Sequence, residues 1–189
     1  MAAGDMLITA DGRHAPVRWV YAKHWSAAQM QASPNLAPIC IAQDALGIGL
    51  PKRDLYVSQQ HRILVDGPIA KRMFGSREVL VPAKALLDLP GVRLHRPNRA
   101  LSYHHVMLDA HDIVISEGIR SESLYFGPQA LTSIPEPALN EAMALLGLSK
   151  SQIEKHAVVP ARQLTPMKQA RHLIARHLRN SKPITLAWA

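Results

Sequence analysis

The sequence predicts a mainly β domain over residues 1–127, followed by a basic α-helical extension over residues 128–189. Three observations predict it. Up to Gly127, short apolar or alternating segments are separated by turn signals. After Gly127, apolar residues recur at helical spacing. Positive charge also gathers late: from Ser149 to Ala189 eight Lys/Arg stand against Glu154 alone, a balance of +7, while the first 148 residues balance at +1.

The strand candidates follow in order. LITA runs into Asp11-Gly12, and VRWVYA follows Pro16 with Val17, Trp19 and Tyr21 on one face, as a half-buried strand requires. PICIA precedes the turn-rich ALGIG, and Cys40 within it fits a buried strand hydrophobe, with a nucleophile as the alternative. LYV and ILV flank the polar stretch Ser58-Gln59-Gln60-His61-Arg62, and REVLVPA follows Gly75. LSYHHVMLDAHDIVISEG reads as two strands with a bend near Asp109-Ala110.

Beyond Gly127 the period becomes helical. Pro135-Glu136-Pro137 opens a helix with Leu139, Ala142, Met143 and Leu146 on one side and Gly147 as its stop. A second helix is expected from Thr165-Pro166, with Thr165 as N-cap. Its apolar stripe is Met167, Ala170, Leu173, Ile174 and Leu178, opposite Lys168, Arg171, His172, Arg176 and Arg179. That basic arc reads as a solvated face or as a docking surface for an acidic protein partner. Nucleic acid is not expected, because no aromatics interleave the cations and no DNA-binding motif is present.

The totals exclude other classes. Nearly half the residues are hydrophobic, which suits a folded domain with a real core. No apolar run reaches the length of a membrane span. The start, MAAGDMLITADG, lacks a basic n-region followed by an apolar stretch, so a cleavable signal peptide is not expected. Localisation stays open between the cytoplasm and export with a parent protein. One cysteine rules out an internal disulfide and a multi-cysteine zinc site, and no cofactor is called for.

Three polar constellations interrupt the strands: Ser58-x-x-His61; Tyr103-His104-His105 with Asp109 and His111; and Gly118-Ile119-Arg120-Ser121-Glu122-Ser123. Taken singly, each histidine fits a hydrogen-bonded structural role. The histidine spacings match no recurrent metal pattern. A Ser58/His61/Asp109 hydrolase triad lacks the Gly-x-Ser-x-Gly elbow.

In order, GDMLITADG, PVRWV, RDLYVSQQHRILV and YHHVMLDAHDIVISEGIRSESLYFG resemble a Hint domain, the self-processing module of hedgehog proteins and inteins. The resemblance is to its bacterial Hedgehog/intein-type subfamily. It covers residues 4–127, and PARQLTPMKQARHL resembles the helical extension that follows in that subfamily. It implies a horseshoe-like β fold in which a Cys or Ser attacks the preceding carbonyl and turns a peptide bond into a thioester or ester. Ser58-x-x-His61 matches the family's Thr-x-x-His motif, whose histidine strains the amide and protonates its nitrogen. His111 is the best match to the second histidine, which assists breakdown of the intermediate. Asp109 is expected to orient or charge it, and His105 stands beside them.

Two departures shape the expectation. Glu122 and Ser123 occupy the places of the intein His-Asn pair, so asparagine cyclisation and full splicing are not expected. Only Met1-Ala2-Ala3 precede Gly4, where the family places its attacking residue further upstream. The expectation is therefore a Hint-like domain without its N-terminal nucleophile segment, inactive alone, its partner being an upstream polypeptide or that missing segment. The other reading is a non-enzymatic module that docks an acidic partner through its basic C-terminal helix.

Overall fold

The computed structural model describes residues 1–96, 98–155 and 158–185, with the side chain of Gln129 left aside. Residues 186–189 of the expected extension lie outside the described residues. The first half forms β1 (Met6–Ile8), β2 (His14–Pro16), β3 (Trp19–Trp25), α1 (Ala27–Ala32), β4 (Ile39–Ile41), β5 (Leu55–Val57), β6 (Arg62–Asp66), α2 (Pro68–Phe74), β7 (Glu78–Pro82) and β8 (Val92–Leu94). There follow β9 (Leu101–Met107), β10 (Ile113–Ser116), β11 (Ile119–Glu122), α3 (Pro128–Ser133), α4 (Glu136–Leu146), α5 (Lys150–Glu154), β12 (Gln163–Leu164) and α6 (Met167–Arg179). Short 3₁₀ turns occupy Pro34–Leu36 and Ala83–Asp88.

Helix makes up 31% and strand 29%, so the mainly β expectation gives way to a mixed α/β chain with a strand-rich N-terminal region and C-terminal helices. The difference lies in local signals between the strands. Ser26 and Gln29 close a capping box that starts α1. Pro68 in the first turn and Gly75 in the left-handed conformation bound α2.

The chain divides into two compact units. The first comprises Met1–Ala22, His104–Val114 and Glu122–Ala161. β1 and β2 pair antiparallel there, from Met6↔Pro16 to Ile8↔His14, and Thr9 bridges to Val114. Its larger core gathers Trp19 and Met107 from strands with Phe126, Ile134, Leu139, Ala142 and Ile153 from the helical stretch. Burying such side chains is worth about 1.5–3 kcal/mol each.

The second unit comprises Lys23–Tyr103, Ile115–Ser121 and Arg162–Ala189. Its five-stranded sheet runs β10-β11-β6-β7-β12, with β6 and β7 antiparallel from Arg62↔Pro82 to Asp66↔Glu78. A three-stranded sheet, β5-β4-β8, sets Cys40 opposite Tyr56 and Arg93. Cys40 is fully buried, as a strand hydrophobe would be. β12 runs parallel to β7, pairing Gln163 with Val79 and Leu164 with Leu80.

α6 buries Ala170, Leu173, Ile174 and His177, the i, i+3, i+4, i+7 face of the helix. Leu178, expected in the apolar stripe, is 40% exposed, and His177 takes the buried position. Thr165 is not the N-cap. Its hydroxyl donates to the carbonyl of Leu80 in the sheet, and Pro166 caps the helix.

Arg120 ties the second unit's sheet to the C-terminal segment. Its guanidinium donates to Asp66 (2.6 Å), Glu78 (3.2 Å) and the Thr185 hydroxyl (3.0 Å), while Arg162 donates to the other Glu78 oxygen.

Candidate functional site

The polar stretch between β5 and β6 is a closed turn. The His61 N–H donates to both the Ser58 carbonyl (3.1 Å) and the Ser58 hydroxyl oxygen (3.2 Å). Serine closes such a turn because its short side chain reaches backbone three residues on. The hydroxyl thus accepts from His61 and keeps its own proton to donate. The turn is also fixed from outside: Ala83 N–H donates to the His61 carbonyl (2.8 Å) and Lys84 N–H to the Gln59 carbonyl (3.0 Å).

Gln59 is the anchor of the corner. It is 7% exposed, and its amide nitrogen donates at 3.0 Å to the carbonyls of both Pro34 and Ala37. The buried Ala37 carbonyl and the more open Pro34 carbonyl thus share one side-chain donor, which fixes the turn against the neighbouring 3₁₀ segment. Nothing in the residue pattern separates Gln59 from exposed Gln60, because alternation does not report burial inside a turn.

The first unit contains the other candidates. His111 is 8% exposed and engaged on both edges. Its Nδ1 accepts from the Ala161 N–H at 3.1 Å, which leaves the neutral ring's proton on Nε2. Nε2 faces a Glu122 oxygen at 3.5 Å, an ion-pair separation longer than a normal hydrogen bond. The Tyr125 ring lies 4.9 Å away at 45°, and its hydroxyl donates to the Val158 carbonyl at 3.0 Å.

Asp109 does not serve His111. Its carboxylate takes a bidentate fork from Arg18, at 2.6 and 3.0 Å, on the surface, so Glu122 is the carboxylate beside the histidine. His105 is half-buried and stacks on Tyr21 (centroids 6.1 Å), which stacks on Trp19 (5.6 Å). Tyr103, in the second unit, donates its hydroxyl to the Leu36 carbonyl (2.6 Å), and burial pushes the phenol up to about 12.

Ser123, next to Glu122, forms a local clip with Asp112. Ser123 accepts from the Asp112 N–H through its hydroxyl and donates its own N–H to the Asp112 carbonyl, both at 2.9 Å. Glu117, just before Gly118, is held ionised below its ordinary range by hydrogen bonds from Arg53. Among the described residues no group of three or more His, Cys, Asp or Glu is placed to hold a metal.

The structure therefore brings Ser58 and His61 together in the second unit. His105, Asp109 and His111 belong to the first, each with its own partners. The chain matches no curated protein and no solved structure. It does match the family model of the Hint domain over residues 1–128, which take in all three polar constellations, and it belongs to that family.

Proposed function

We propose that the chain is a Hint-type self-processing module whose residues activate a peptide bond contributed by an upstream polypeptide. The carrying observation is the closed Ser58–His61 turn within the matched region. In the reaction, a Cys or Ser side chain adds to the preceding carbonyl carbon, the C–N bond breaks, and the departing nitrogen takes a proton. His61 is assigned that proton transfer. The Ser58 hydroxyl, polarised by the His61 N–H it accepts, is assigned to hydrogen-bond the strained amide. His111, oriented by Glu122 and Ala161, and His105 are assigned to the breakdown of the ester. Asp109 contributes by anchoring its loop to Arg18. Asparagine cyclisation is not part of the scheme, so the outcome is cleavage or acyl transfer to an external nucleophile.

The test is a reporter fused upstream through a junction segment that opens with Cys, with thiol-dependent release read on a gel. Release should fall at least about 100-fold in His61→Ala, the usual range for losing a general acid. It should be unchanged in Cys40→Ala. Release that survives both Ser58→Ala and His61→Ala would overturn the assignment.

A further inference from the structure

Charge is partitioned by compact unit more sharply than along the chain. The second unit holds 18 Lys/Arg and 6 Asp/Glu, a formal charge of +12, whereas the first holds 4 and 8, a charge of −4. Within the second unit one surface concentrates it. On α6, Lys168, Arg171, His172 and Arg179 are exposed, Arg176 is half-buried, and the helix has no acidic residue. None of its four Lys/Arg side chains is ion-paired among the described residues. α2 packs against α6 and adds exposed Lys71 and Arg72.

The same helix packs on the 3₁₀ turn Ala83–Asp88, whose Ala83 and Lys84 N–H groups hold the His61 and Gln59 carbonyls. One short element therefore touches both the basic helix and the Ser58–His61 corner. A surface so placed is suited to grip the chain that the corner acts upon.

We propose that the exposed face of α6, with Lys71 and Arg72, binds an acidic polypeptide segment belonging to the protein presented for processing. The identity of that segment as the processed polypeptide rests on the self-processing reading; the acidic-peptide site itself does not. A bilayer is a poorer fit, because α6 has buried its apolar side in the core and keeps no apolar face to insert. A single-stranded nucleic acid is a poorer fit, because the exposed arc has no Phe, Tyr or Trp on which bases stack.

The probe is a fluorescein-labelled 16-residue peptide of alternating Glu and Ser, with a Lys/Ser counterpart, followed by anisotropy on the full chain. The Glu peptide should bind and the Lys peptide should not. Raising salt from about 0.05 to 0.3 M should weaken binding several-fold, because such contacts are screened. Arg171→Gln/Arg176→Gln/Arg179→Gln should bind about tenfold more weakly, the sum of several exposed charge pairs. Lys52→Gln/Arg96→Gln/Arg99→Gln, removing equal charge elsewhere, should bind as the parent does, and thermal melts confirm that both variants fold. Equal losses in the two variants, no binding of the Glu peptide, or tighter binding of a DNA or RNA oligomer at about 0.15 M salt would each overturn the proposal. Cleavage of the Cys-led fusion is scored separately: peptide binding without cleavage removes the self-processing reading and leaves the surface standing.

Discussion

His111 faces Glu122 across 3.5 Å with its ring almost wholly enclosed, and Ala161 closes its other nitrogen. A buried imidazole, hydrogen-bonded through Nδ1 and facing a carboxylate through Nε2, links the turn after β9 to a segment fifty residues later. Replacing Glu122 by Gln keeps the shape and removes the charge, and should cost about 1–2 kcal/mol by urea unfolding. His111→Ala should cost more, since it also strips the Ala161 N–H of its acceptor. Nitrogen NMR of the parent should show Nδ1 unprotonated and Nε2 carrying the proton in the neutral ring.

Gln59 carries a prediction distinct from its neighbour. Gln59→Leu should strip the buried Ala37 carbonyl of its side-chain donor and destabilise the chain by about 1–3 kcal/mol. Gln60→Ala, on an exposed residue of the same turn, should be silent within about 0.5 kcal/mol. Both are read from denaturation midpoints. In the Cys-led fusion, Gln59→Leu should also slow release under conditions where the variant remains folded.

His177 gives the pH dependence. Its Nδ1 lies 2.8 Å from the Pro183 carbonyl, and its buried Nε2 has no hydrogen-bond partner among the described residues. Burial is the largest cause of its lowered proton affinity, holding it below the ordinary value of 6.5; the contacts to Pro183 and Lys182 and the nearby Asp66 pull the other way. A depressed folded value means that the unfolded chain binds this proton more readily. The stabilisation from His177 is thus present above its unfolded value and is lost as pH falls through the folded value. Urea midpoints should decline from pH 7 toward pH 5, and His177→Gln should flatten that decline. An unchanged slope in the variant would assign the dependence to other histidines.

Arg120 is the ion-pair test. Its side chain is 11% exposed and that of Asp66 12%, so removing the cation leaves desolvated carboxylates behind. Arg120→Leu should cost about 3–5 kcal/mol. Arg13→Ala, which breaks exposed pairs with Asp11 and Asp112, should cost about 0–1 kcal/mol, measured in the same way.

The sequence made some elements legible and hid others for physical reasons. Val17, Trp19 and Tyr21 alternate on one face, and the structure buries Val17 and Trp19 and stacks Tyr21 on Trp19. α4 buries Leu139, Ala142 and Met143 and ends at Gly147 in the left-handed conformation, where the helical period and the glycine placed it. The bend at Asp109-Ala110 also appears where turn chemistry predicts it. By contrast, α1 and α2 have only six and seven residues, too short for a period to stand out from strand alternation. His177 escaped because a histidine carries no hydrophobic signature, although its spacing puts it on the buried face.

At the candidate site, the local pair was readable and the distant partners were not. Ser58 and His61 stand three apart, and a turn closes that spacing directly. The carboxylate that meets His111 is eleven residues away, and the N–H that meets it is fifty away, so no spacing rule selects them. Asp109 was the nearer acid in sequence, but Arg18 claims it. The charge partition was hidden similarly: counting along the chain isolates the tail, while folding joins that tail to cations from Lys23–Tyr103.

The parallel pairing of β12 with β7 has a consequence for the chain during its own synthesis. Gln163, Leu164 and Thr165 pair with that side of β7, whose residues Val79 and Leu80 are fully buried. Until they arrive, a row of unpaired N–H and C=O groups on an apolar strand is a template for any other copy of the chain. A polypeptide ended after Ala161 should therefore form sheet-paired aggregates, visible by light scattering. The C-terminal segment thus works as a built-in guard against edge-to-edge polymerisation.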